Sequence, residues 1–92
     1  MESILLTIKD AIGPSASYEA FDNSLIMHIN SVFGILKQLG VGPQDDTFKI
    51  TGPNEVWTAF FEEGENLEYV KTYVYLKVRM FFDPPQSSFV AD

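Results

Sequence analysis

The stretch Asn66–Phe89, NLEYVKTYVYLKVRMFFDPPQSSF, constrains the fold of this chain more than any other. Wound as a helix at about 100° per residue, it places Leu67, Tyr69, Val70, Tyr73, Val74, Leu76, Val78, Met80 and Phe81 in one continuous apolar arc. That arc covers more than half of the circumference, and Glu68, Thr72, Tyr75 and Arg79 form the compact polar strip. A helix lying on a domain surface needs an apolar stripe only about 100° wide. This one is therefore expected to be a central helix, wrapped by neighbours on several sides and stopped by Pro84-Pro85. Lys77 interrupts the arc near its middle. Two readings are open for it: a buried stem with the ammonium at the rim, or a part of the arc that meets a charged partner instead of core.

The rest of the chain supplies the neighbours. Glu2–Ile12 reads as a helix with Ile4, Leu5, Ile8 and Ile12 on one face, ended by Gly13-Pro14. Ser15–Ala20 is a short polar connection. The next helix starts at Asp22, a suitable N-cap, with Phe21 placed to pack on Ile26 as a hydrophobic staple. Its core stripe is Leu25, Ile29, Val32, Leu36 and Leu39, flanked by Ile26 and Phe33. Gly40 supplies a left-handed C-cap, and Pro43 blocks continuation.

Val41–Pro53 is rich in Gly, Pro and Asp and reads as a loop. The alternation of Phe48 and Ile50 suits a short extended piece at 47–51, but one strand makes no sheet. The segment is expected to be a loop pinned by those two side chains. Asn54–Phe61 makes a short third helix carrying Val56, Trp57, Phe60 and Phe61, closed by Gly64, and Asn66 caps the central helix. Ser87 or Ser88 would cap a further helix, but the chain stops at Asp92. The expected fold is all-α: one domain over residues 1–92, a small bundle of about four helices around the long central one.

Composition narrows the function. The 92 residues suit a single domain, and 46% hydrophobic with 14% aromatic content argues against disorder. Thirteen acidic against six basic residues give a net charge of −7, which disfavours a nucleic-acid-binding surface, since phosphate contacts need clustered Lys and Arg. There is no cysteine, which removes disulfides and thiolate metal sites. The first residues, MESILLTIKDAIG, lack the basic and long apolar regions of a signal peptide, and no run approaches a membrane span. A soluble protein made in the cytoplasm is expected.

No catalytic constellation emerges. With the single histidine His28 and no cysteine, neither a transition-metal site nor a nucleophile–base triad can be built within one chain. His28 reads as a core or interface residue, with a pH-sensitive contact as the alternative. Asp45-Asp46 and Glu62-Glu63 with Glu65 sit in polar, Gly-flanked turns, where a carboxylate lacks the desolvated pocket that acid–base work needs. Calcium ligation by Glu62, Glu63 and Glu65 would lack the EF-hand spacing. Gly40–Pro43 and Thr51–Asn54 lack the lysine and glycine spacing of phosphate loops and read as turns. The chain is expected to be no enzyme, with no cofactor and no metal. Its paired aromatics (Phe60 and Phe61, Tyr73 and Tyr75, Phe81 and Phe82) exceed what one small core hides, so they are either covered by helices or used in an interface.

Three segments carry a resemblance: HINSVFGILKQLGVGP (His28–Pro43), EVWTAFF (Glu55–Phe61) and VKTYVYLKVRMFFDPPQSSF (Val70–Phe89). Together they resemble the small head–tail connector proteins of long-tailed bacteriophages, also called head-completion or adaptor proteins. The tyrosine-rich helix running into an acidic residue, two prolines and a Ser-Ser turn is the most specific part. The resemblance implies an all-α structural virion protein at the head–tail junction, assembled in the host cytoplasm. It implies a dodecameric homo-oligomeric ring under the portal protein that extends the DNA channel and carries the next connector or tail-terminator protein. DNA would pass without specific binding, and no membrane is involved. An acidic lining suits that passage because it repels phosphate.

Relatives continue after the Ser-Ser turn into a C-terminal helix of pattern E-x-x-x-L-E-W-R-L, whereas this chain ends at Asp92. The expectation is a lost or truncated helix, leaving part of the apolar arc uncovered. Among the matching segments, Tyr73, Tyr75, Lys77, Arg79 and Phe82 are the expected interface residues. Two other readings stay open: an acidic regulatory module that binds a host protein by imitating DNA, and a small ligand-binding or catalytic helical domain.

Overall fold

A computed structural model describes residues 2–13, 19–44 and 48–82, the side chain of Phe82 excepted. Four α-helices lie within them: α1 (Ile4–Ile12), α2 (Asp22–Gln38), α3 (Trp57–Phe60) and α4 (Glu65–Phe82), with a 3-10 turn at Glu19–Phe21 running into α2. The described residues hold no strand, only an isolated antiparallel bridge between Ser3 and Val56. The all-α bundle expected from periodicity is therefore present. Several expectations lie outside the described residues: Pro14 and most of the connection after it, Asp45-Asp46, the Pro84-Pro85 stop, and the Ser87 or Ser88 cap.

One core holds the helices together. Ile4, Leu5 and Ile8 of α1 meet Leu25, Ile29, Val32, Phe33 and Leu36 of α2, Trp57 and Phe60 of α3, Leu67, Val70, Val74 and Val78 of α4, and Ile50 of the loop. Each such side chain contributes about 1.5–3 kcal/mol by leaving water. α4 packs chiefly on α2 and secondarily on α1. Phe33, expected at the flank of the α2 stripe, is instead at the centre of an aromatic cluster. Its ring stacks on Phe60 at 4.2 Å, tilts against Phe48 at 5.6 Å, and meets Trp57 edge-on at 6.4 Å.

Helix boundaries follow from local hydrogen bonds. Ser3 caps α1, its Oγ accepting from the Leu6 N–H at 3.2 Å. α2 ends as its glycine predicts: the Val41 N–H donates to Leu36 O (2.8 Å), the Gly40 N–H donates to Lys37 O (3.0 Å), and Gly40 takes φ 85°. This is the Schellman arrangement, in which the reversal needs a left-handed residue. It leaves Leu39, expected in the core stripe, beyond the last helical residue and 67% exposed.

Three expected starts are corrected. Asp22 is the first residue of α2 and not its cap, because the preceding 3-10 turn carries the chain into the helix; its carboxylate pairs with Lys9 Nζ at 2.7 Å. Asn66 lies inside the first turn of α4, which begins at Glu65 with the Leu67 N–H donating to Gly64 O at 3.1 Å. The third helix covers only Trp57–Phe60 where Asn54–Phe61 was expected. The reason is pairing with the N-terminus: the Ile4 N–H donates to Glu55 O (3.0 Å) and the Trp57 N–H to Glu2 O (3.2 Å), so Val56 is held extended.

The loop before α3 is fixed by side chains. Asn30 of α2 grips Ile50 from both sides of its peptide: Nδ2 donates to Ile50 O at 2.9 Å and Oδ1 accepts from the Ile50 N–H at 2.8 Å. One amide thus does for this isolated extended residue what a neighbouring strand would do. The described part of 47–51 is a pinned loop, with Ile50 buried and Phe48 half-buried.

Glu55 closes the following turn, accepting from the Thr51 Oγ1 (2.9 Å) and the N–H groups of Thr51 (3.1 Å) and Gly52 (3.4 Å). Burial alone would raise this carboxyl, but hydrogen bonds from the Thr51 hydroxyl and the local N–H groups outweigh it and hold it below its ordinary value. A carboxyl lowered on folding stabilises fully above its unfolded value and loses that contribution as pH falls through its folded value. Glu55→Gln is therefore expected to cost most at neutral pH, by about 1 kcal/mol. The gap from the parent chain should close between about pH 5 and pH 3. Thermal melts of both chains across that range are the check, and a pH-independent gap would count against the carboxylate's role.

Candidate interaction surface

Only one side of α4 is covered. Leu67, Val70, Val74 and Val78 are buried, a stripe no wider than a surface helix needs. Tyr69, Leu76 and Met80 are 64%, 50% and 52% exposed. The expectation that neighbours wrap the whole arc is thus overturned for the described residues, since α1 and α2 reach α4 from one side. Tyr75, placed on the polar strip by the wheel, packs half-buried against the core.

The uncovered side has an order of its own. Tyr69, Tyr73, Leu76 and Met80 follow one another at steps of four, three and four, the spacing by which one helix presents a seam to another. Tyr73 is half-buried at its edge. Lys77 stands beside the seam with its ammonium 5.7 Å from the centre of the Tyr73 ring. On the other flank, Arg79 Nη1 donates to the Tyr75 hydroxyl at 3.2 Å.

Tyr73, Tyr75, Lys77 and Arg79 therefore form two couples and not one patch. The couples lie on either side of the buried Val74–Val78 line, and the side chain of Phe82 lies outside the description. Sequence reasoning placed Tyr69, Leu76 and Met80 in the core. The helical spacing that could have singled them out was legible, but nothing in it tells which part of an arc is covered.

Charge is graded along α4. Glu62, Glu63, Glu65 and Glu68 gather exposed around its first turn, where carboxylates suit the positive end of the helix dipole. Lys71 joins Glu68 to Glu2 of the N-terminal segment. The hydrogen bond to Glu2 is the main reason its ammonium is held above the ordinary value. Lys9 is likewise paired, to Asp22. Lys77 and Arg79 have aromatic partners and no carboxylate partner among the described residues. The apolar seam is thus acidic at one end and carries cations along both edges at the other.

Elsewhere the chemistry is sparse. His28, half-buried on α2, stacks on Phe81 of α4 with ring centres 5.5 Å apart. No group of three His, Cys, Asp or Glu able to hold a metal occurs among the described residues. Among them, too, no helix is long and apolar enough to cross a membrane. An open groove of about 390 Å³ runs between α2 and the loop, lined by Asn30, Phe33, Gly34, Lys37, Phe48 and Phe60 among others. Its Asn30 amide is already spent on Ile50.

A family model described as "Phage connector protein" matches residues 4–92. No curated protein and no solved structure matches the chain.

Proposed function

The chain belongs to the phage connector protein family, and from that premise we propose that it acts by assembling as a ring beneath the portal. Its coarse role is that of a structural head–tail connector, a virion component that works with portal and tail proteins. In this reading twelve copies close under the portal vertex, extend the DNA channel, and offer a platform to the next connector or tail-terminator protein. Assembly takes place in the host cytoplasm. No residue is assigned a catalytic part.

The observation that carries the reading is the family match over nearly the whole chain, residues 4–92. Two structural features support it. A ring closes only when each subunit offers two different faces, and apolar side chains stand exposed on the outer sides of both α4 (Tyr69, Leu76, Met80) and α2 (Met27, Ile35). Tyr73, Tyr75, Lys77, Arg79 and Phe82 are assigned to the α4 contact, where aromatic side chains and arginine serve as interface anchors. A net charge of −7 fits a channel wall that lets DNA slide past, since like charge lowers the local concentration of phosphate.

Native mass spectrometry of the chain mixed with its cognate portal assembly is the test. The expected result is addition of many copies in multiples set by the portal's symmetry. Absence of binding, together with tight and strongly salt-dependent binding to a host nucleic-acid-binding protein, would instead support the DNA-mimic reading.

A further inference from the structure

From the seam on α4 and the charge gradient along it, we infer that the free chain pairs with a second copy of itself, α4 against α4, in antiparallel register. The seam residues Tyr69, Tyr73, Leu76 and Met80 are symmetric about the midpoint between Tyr73 and Leu76. An antiparallel second copy therefore sets Tyr69 opposite Met80 and Tyr73 opposite Leu76, and the two-fold axis repeats both pairs. Each layer joins an aromatic ring to an aliphatic side chain or a thioether, and these fill space well together.

Charge selects the direction. Along α4 the first turn carries Glu65 and Glu68, beside Glu62 and Glu63, while Lys77 and Arg79 lie in the last turns without carboxylate partners among the described residues. Antiparallel pairing brings each basic end toward the acidic end of the other copy, with Arg79 near Glu65 across the seam. Parallel pairing would set acid beside acid and base beside base. The helix dipoles favour the same choice. The contact is small, because three half-exposed side chains and their rims fall well below the roughly 1,200 Å² typical of stable complexes. Association is therefore weak and concentration-dependent. It occupies the α4 face assigned above to ring contacts, yet it concerns the chain before any portal is present.

Sedimentation velocity of the purified chain, from about 5 to 500 µM at low salt, tests this without a portal. The parent chain is expected to shift from monomer to dimer over that range, and Leu76→Glu to remain monomeric. Arg79→Glu should weaken the dimer about tenfold, since the symmetric contact loses two ion pairs and gains two repulsions. The double variant Glu65→Arg with Arg79→Glu exchanges the charges within one chain and should restore association to within about threefold of the parent. Both charge variants alter exposed positions, so they remain informative if Leu76→Glu disturbs folding, which circular dichroism reports. A parent chain that stays monomeric at the highest concentration overturns the inference, whatever else covers the seam. So does a dimer that the double variant fails to restore. Portal binding is measured separately, so either failure leaves the ring reading to its own test.

Discussion

Trp57→Ala is expected to cost about 3–5 kcal/mol of folding stability, the usual loss when a large core aromatic is truncated. Trp57 is 1% exposed and touches every layer of the argument about this core. Its backbone N–H ties α3 to the N-terminal segment through Glu2 O at 3.2 Å, and its ring meets Phe33 edge-on, at 85°. A domain of this size has a total stability of about 5–15 kcal/mol, so the variant is expected to melt at least about 15 °C lower or to be partly unfolded at room temperature.

Trp57→Phe is the informative partner. The indole Nε1 is buried without a hydrogen-bond partner, and phenylalanine removes that unsatisfied donor while keeping most of the ring. Its cost is expected to stay near 1–2 kcal/mol, since a lost donor that made no bond offsets part of the lost packing. Urea denaturation followed by far-ultraviolet circular dichroism measures both, because the chain has no other tryptophan to report fluorescence. A loss below about 1 kcal/mol for Trp57→Ala would place the residue at the edge of the core and not within it.

Gly42→Ala is the second large effect, expected at about 2–4 kcal/mol from two separate causes. Gly42 holds φ 86°, in the left-handed region where a side chain costs about 1–2 kcal/mol. A Cβ at that position would also overlap the Cζ and Cε1 of Phe60, and its distance to Cδ1 would be 3.2 Å. Relief requires Phe60 to move, and Phe60 is stacked on Phe33 at 4.2 Å, so the aromatic cluster is disturbed at an overpacking cost of about 1–3 kcal/mol.

Gly34 gives the control. It lies within α2 with nothing within 4 Å of an added Cβ and with an ordinary helical backbone. Gly34→Ala should therefore stabilise the chain by about 0.5–1 kcal/mol. Opposite signs for the two substitutions in parallel thermal melts are the expected outcome. Equal effects would show that the Gly42 turn relaxes around a side chain.

The interaction surface was half legible before any coordinates. Every residue of the seam was visible in the apolar arc of α4, and Lys77 already stood out as a charge in that arc. The couples Tyr73–Lys77 and Tyr75–Arg79 follow from i, i+4 geometry alone. Which part of the arc was covered did not follow, because coverage depends on where α1 and α2 lie. The Asn30 clamp on Ile50 was hidden for a related reason: it joins residues twenty apart, and one polar residue near an apolar stripe carries no signal of its partner.

Periodicity determined the four helices, because the apolar repeat is a property of each segment by itself. Glycine chemistry likewise determined where α2 ends, since Gly40 can take the left-handed turn without a Cβ penalty. Composition and sequence pattern pointed to an acidic, all-α family without catalytic machinery. Tertiary structure decided what local propensity leaves open. It shortened α3 by pairing Glu55–Val56 with the N-terminal segment, moved Phe33 into the aromatic centre, and left Leu39 outside. It also divided the arc of α4 into a buried valine stripe and an exposed seam. The physical reason is common to all four: a side chain is buried only when another element occupies the space beside it, and that element is set by contacts far away in the chain.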